Sequence, residues 1–160
     1  MSITKIPLTD FEKQQKNQEE GTFKVMREAI LRSVPKETGG YPLGEPADPL
    51  RTGVVLGKIW KVKDLINAGA NLLTIYEDDA TLLHVAALNG RLEMVRFLVA
   101  QNLPLLAKTT TGKTPKELVL WHLEKKRKGE GPEFNLVQDE VYEQIIDFLN
   151  EAEAKIAKKV

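Results

Sequence analysis

Cysteine is absent from the 160 residues, and histidine and serine occur twice each, as His84, His122, Ser2 and Ser33. Without a thiol, disulfides, thiolate metal sites and cysteine nucleophiles drop out. A serine nucleophile needs the strained G-x-S-x-G turn, and neither serine stands in one. A metal would need a ligand set, but the chain has no H-E-x-x-H, no histidine pair at i and i+4, and no acidic series with calcium-loop spacing. Gly112-Lys113-Thr114 resembles the end of a phosphate-binding loop, yet the first glycine of that motif is missing. A turn followed by a helix cap accounts for it. The basic cluster Lys125-Arg127-Lys128 could serve nuclear import or touch phosphate. Glu124 and Glu130 flank it and no aromatic residues interleave, so it reads as a solvated helix end. These residues predict no catalytic set, no metal and no cofactor.

The bulk properties point the same way. Basic and acidic residues balance at 23 each, so no global field draws the chain to nucleic acid or to an anionic membrane. The start, Met1 to Pro7, has no apolar run like a signal peptide, and no apolar stretch approaches the ~20 residues of a membrane span. The expectation is a cytoplasmic, monomeric protein; export without a cleavable signal is compatible with it. A content of 42% hydrophobic residues is enough for one core.

What positions these residues is a repeat. Thr81-Leu82-Leu83-His84-Val85-Ala86-Ala87 leads through Gly90 to Val95-Arg96-Phe97-Leu98-Val99. A step of 33 residues takes Thr81 to Thr114, Gly90 back to Gly57, Val95 back to Val62 and Leu98 back to Leu65. Such a period, with a T-x-L-H-x-A-A core, writes a stack of helical hairpins. The first unit predicts helices over 50–56 and 59–68, ended by Gly69. The second predicts 81–89 and 92–100. The third starts at Thr114-Pro115, a cap with proline at the first helical position, and runs to about Lys126. There the pattern breaks: Leu123 stands where a glycine is expected, and an insertion over about 124–138 precedes Val141 to Leu149, which restores the apolar stripe. Upstream, 10–20 reads as a polar lead broken by Gly21, with Thr22 capping an amphipathic helix over about 22–34 through Phe23, Met26, Ile30 and Leu31. That helix is expected to cover the exposed edge of the first unit. A loop with four prolines and three glycines, 35–49, closes an extension over 1–47, and the repeat domain spans 48–160.

The segment Asp79 to Leu106 resembles an ankyrin repeat, carried by Thr81, Leu83, His84, Ala86, Ala87, Gly90, Val95, Leu98 and the later Thr114-Pro115. Residues 48–71 and 111–149 resemble degenerate first and last repeats. Leu82 stands where that family usually has proline, and Asn102-Leu103 where it usually has Gly-Ala. The resemblance implies an all-α, short ankyrin-repeat solenoid with an N-terminal helical extension and a helical C-cap. It implies that His84 is a hydrogen-bonding strut between repeats.

It also implies a function, binding a partner protein without catalysis, as an inhibitor, an immunity-type protein or a secreted effector. In that family partners are held by finger tips and by the two residues after the Ala-Ala pair. The residues so implied here are Val55 and Leu56, Leu88 and Asn89, Trp121 and His122, with Tyr76, Glu77, Asp78 and Lys113 from the fingers. Val55, Leu88 and Trp121 share the repeat spacing and should form one apolar row, unless the extension or the insertion lies over it. A second function class is an enzyme or nucleotide-binding protein with a site between the extension and the repeats. Gly112-Lys113-Thr114 and His122 would be its only handles.

Overall fold

A computed structural model describes residues 5–33, 48–131 and 137–159. Every regular element in them is helical: α1 (Asp10–Ser33), α2 (Pro49–Leu56), α3 (Ile59–Asn67), α4 (Leu82–Leu88), α5 (Leu92–Ala100), α6 (Pro115–Arg127) and α7 (Asp139–Lys158), with a 3-10 turn at Glu77–Asp79. Helices α2, α4 and α6 pack side by side as an inner row. Each also packs on its own outer partner, α3, α5 or α7, and α5 packs on α7. The architecture is a short all-helical repeat stack.

One core runs through the hairpins. Leu82, Leu83, Ala86 and Ala87 of α4 are fully buried, with Val95 and Leu98 of α5, Val54 and Val62 of the first hairpin, and Val119, Tyr142 and Ile145 of the last. Burying a leucine or valine side chain contributes about 1.5–3 kcal/mol, so the shared core outweighs any single polar contact. Ala86 and Ala87 keep α4 thin where α2 and α6 approach it from both sides. The predicted turn at Gly90 has a steric cause. Its φ is +65°, and a β-carbon there would lie 2.5 Å from Val137 Cγ1.

Asn102, at the position of a family glycine, takes the left-handed conformation itself with φ +62°. Asp78 and Asp79 do so consecutively, at φ +60° and +56°. One repeat later than Asp79 the chain has Gly112, at φ +74°. A side chain in this region costs energy that glycine avoids, although Asp tolerates it better than most. Asp79→Gly is therefore expected to raise the urea midpoint, with a gain of about 0.5 kcal/mol; an unchanged or lower midpoint would show that the turn holds no such strain.

The N-terminal extension departs from the expectation. The helix starts at Asp10, not near Thr22, and passes through Gly21 without a break. A capping box starts it: Thr9 N–H donates to Glu12 Oε2 at 2.8 Å, and Glu12 N–H to Thr9 Oγ1 at 3.3 Å. Gly21 costs a helix only about 1 kcal/mol. Thr22 is no cap; its hydroxyl donates to the Gln18 carbonyl one turn back at 2.9 Å. Glu12, Lys16 and Glu19 lie on one face of α1 and pair with Lys63, Asp64 and Lys58 of the first hairpin. Lys63 Nζ is 2.8 Å from Glu12, with little of either side chain exposed. Burial pushes the Glu12 carboxyl up, but the Lys63 ammonium and the Thr9 contacts outweigh it and hold the carboxyl below its usual range. Asn67 clasps the backbone of Ile6 at both ends of its amide, at 2.8 and 2.9 Å. This packing buries Trp60, on a face of α3 that the repeat alone would leave outward. Of the expected amphipathic face, Phe23, Met26, Ile30 and Leu31 lie outside the described side chains, and the 35–49 loop lies outside the described residues up to 47.

Candidate functional site

The inner helices and the loops before them form one groove of about 600 Å³. Its floor is Val55 from α2, Val85 and Leu88 from α4, and Leu118 and Trp121 from α6. Its walls are Glu77, Asp78 and Ala80 from one finger and Thr109, Thr111 and Lys113 from the next. Arg51, His84 and Asn89 complete it. None of the described residues of 5–33 or 124–138 lines it. The expected row, Val55, Leu88 and Trp121, is thus gathered in one place. Trp121 is 46% exposed, large for an indole in a chain with this much core.

Leu56, Tyr76 and His122 do not line the groove. Successive helical residues point about 100° apart, so Leu56 and His122 are turned away from the face that Val55 and Trp121 present to the groove, whereas both Leu88 and Asn89 reach it. Leu56 is exposed on another face. His122 turns to α7 and meets Tyr142 edge-on, ring centroids 5.7 Å apart. Burial, with Lys126 nearby, lowers its proton affinity. Tyr76 packs against the core under the Arg51 guanidinium, 5.6 Å from the ring centroid. Burial and the Asp48 carboxylate push its hydroxyl up to about 12, so it stays neutral. Asn89 does reach the groove, but its amide also donates to the Val85 carbonyl at 2.8 Å and so closes α4.

The walls are held from behind. Thr81 N–H donates to His84 Nδ1 at 3.1 Å, which fixes a neutral ring with its proton on Nε2. That proton then reaches the Lys113 carbonyl at 3.1 Å, across to the next repeat. The same carbonyl accepts from Thr109 N–H at 3.0 Å. Thr110 N–H donates to the Asp78 carbonyl at 2.9 Å, tying the two fingers together. At the far wall the Lys113 and Lys125 ammoniums each lie 6.0 Å from the Trp121 ring.

The fragments that could suggest nucleotide chemistry have other duties. Gly112 makes the finger turn, and Thr114 caps α6, its hydroxyl accepting from Glu117 N–H at 3.3 Å while Thr114 N–H donates to Glu117 Oε2 at 2.9 Å. Two members of the basic cluster and the lysine between them are paired internally: Lys125 with Glu130, Lys126 with Asp139 at 2.7 Å, Arg127 with Asp139 at 3.2 Å and with Glu143. The groove also takes Arg51, Ala80, His84, Val85, Thr109 and Leu118, which the sequence does not imply as partner-binding residues. Arg51, Val85 and Leu118 carry a legible signal, each lying one helical turn before Val55, Leu88 or Trp121.

No helix among the described residues is long and apolar enough to cross a membrane. Residues 65–119 match the family described as ankyrin repeats (many copies). No curated protein matches the chain. The solved structure of the Bd0816 predatory endopeptidase from Bdellovibrio bacteriovorus in complex with the immunity protein Bd3460 is similar to it at 23% identity and a TM-score of 0.48, over 66% of this chain and 46% of that one. This chain therefore spans less than half the length of the chain it resembles there. The period, the buried Ala-Ala pair and the His84 strut agree with the match: residues 65–119 are an ankyrin-repeat segment within the helical stack.

Proposed function

We propose that this chain binds a partner protein in the groove between its inner helices and fingers, and that it acts by occupancy, without catalysis. Trp121 carries the reading. A folded chain with a continuous core leaves nearly half of an indole in a groove floored by Val55 and Leu88. Tryptophan beside aliphatic residues in a concave site is the composition of an interface hot spot. Residues 1–47 read as a private extension to the array of 48–160. A short array with such an extension fits a dedicated binder: an inhibitor, an immunity-type protein or a secreted effector.

The test is capture from native lysate with the full chain as bait, alongside Leu88→Asp and Trp121→Asp baits, with mass spectrometry as the readout. Both changes are on partly exposed side chains, so circular dichroism is expected to show unchanged helicity. Proteins held by the wild type are expected to fall at least tenfold on either variant, since a charge would be desolvated at the centre of the interface. Retention of the same proteins by both variants would sink the groove reading.

A further inference from the structure

We propose that the groove takes a partner loop in which an arginine or lysine stands beside an apolar side chain, the cation reaching Glu77 and Asp78 and the apolar group lying over Leu88 and Trp121. This deepens the groove reading and rests on it. The argument is the distribution of charge around the cavity. Glu77 and Asp78 are exposed on one wall, and among the described residues neither has an ion-pair partner. The groove's cations are engaged elsewhere. Arg51 lies over Tyr76, and Lys113 lies beside Trp121, with Lys125 also near that ring.

That arrangement has a direction. An indole face normally attracts a partner's cation, but here two ammoniums already stand 6.0 Å from it. A third cation would be repelled from the Trp121 end and drawn to the Glu77–Asp78 end. Between the two ends Ala80, Val85 and Leu88 offer carbon, which selects an apolar side chain next to the cation. The acidic wall is also positioned in advance. Asp78 is held in the left-handed region, with its carbonyl bonded to Thr110 of the neighbouring finger. Binding therefore pays little to order it. Exposed charges of this kind add modest affinity but set partner choice and association rate, so the test must read preference.

A disulfide-constrained random-loop library displayed on phage is panned against the full chain, and the selected loops are titrated against wild type, Leu88→Asp, Glu77→Lys/Asp78→Lys and the charge control Lys158→Glu. Selected loops are expected to carry arginine or lysine next to an apolar residue. Their affinity is expected to fall about tenfold in Glu77→Lys/Asp78→Lys and again in about 0.5 M salt, and to hold in Lys158→Glu, an exposed site at the end of α7 away from the groove. Loops that lose binding in Leu88→Asp yet show no basic preference, or that ignore Glu77→Lys/Asp78→Lys, overturn the proposal and leave the groove reading standing. Loops that bind all variants equally overturn both. A panning that returns no loop for the wild type overturns the charge proposal as well.

Discussion

Tyr142→Ala is expected to be the most destabilising single change in the last repeat, costing about 4 kcal/mol, the range for deleting a fully buried aromatic side chain. Tyr142 is wholly buried where α7 closes the stack, and its hydroxyl donates to the Leu88 carbonyl of α4 at 2.8 Å. It therefore joins the terminal helix to the central hairpin while its ring supports His122 on α6. Truncation removes the filling, leaves a cavity in the core that Tyr142 shares with α6 and the rest of α7, and frees the Leu88 carbonyl at the end of α4. In a repeat stack each unit is stabilised by its neighbours, so weakening the cap should fray α6 and α7 first. Urea unfolding by circular dichroism reads the loss, and hydrogen exchange reads where it falls. Tyr142→Phe keeps the ring and removes only the hydroxyl, so its cost should be about 1 kcal/mol. If Tyr142→Ala costs no more than Tyr142→Phe, the cap is not held by burial and this account of the core is wrong.

The sequence and the structure agree most closely where residues are small, buried or backbone-determined. The repeat period and the glycine turns fixed the hairpins from 49 to 127 within a residue or two at most helix ends, because each signal reports a local constraint. Thr81 and Thr114 stand at helix starts, and Gly90 stands at a turn that a β-carbon would block. The inner row of the site, Val55, Leu88 and Trp121, followed from the same period. Two things did not follow. The first half of α1 is a helix whose packed, half-buried stripe is polar: Glu12, Gln15, Lys16 and Glu19. A search for apolar periodicity passes over such a stripe, and its sense appears only when Lys58, Lys63 and Asp64 stand opposite. The second is the outward residue in two of the three helical pairs. The pairing with Val55 and Trp121 implies Leu56 and His122 as groove residues, but a step of about 100° per residue turns both away, while Asn89 beside Leu88 still reaches the groove. Tyr76 was assigned by its place in a finger; burial and the Asp48 contact give it a packing role instead.

A pH titration of stability should expose the strut that carries the groove's second wall. His84 is fully buried, and burial holds its proton affinity below the ordinary value, though the Lys113 carbonyl works the other way. The neutral ring accepts from Thr81 N–H at Nδ1, a bond that an added proton there destroys. The unfolded chain, with an ordinary histidine near 6.5, binds the proton more readily than the folded chain does. The contribution is thus fully present above that pH and is lost as pH falls through the lowered folded value. The slope is bounded at about 1.4 kcal/mol per pH unit for one histidine. His122 is shifted the same way and adds to the decline. The lowered carboxylates Glu12 and Asp139 act later, at more acid pH. His84→Gln should therefore remove one proton's worth of slope as pH falls below about 6.5 and leave the acid limb in place. His84→Ala should cost about 3 kcal/mol at neutral pH, because it strands Thr81 N–H in the core and deprives the Lys113 carbonyl of one donor. The strut also predicts a link to binding. Thr109 and Lys113 line the groove and share the carbonyl that His84 holds, so groove affinity should weaken in the same pH window as the stability does. Equal slopes for the wild type and His84→Gln would mean that His84 is not held neutral, and the bond pattern drawn for it would have to be abandoned.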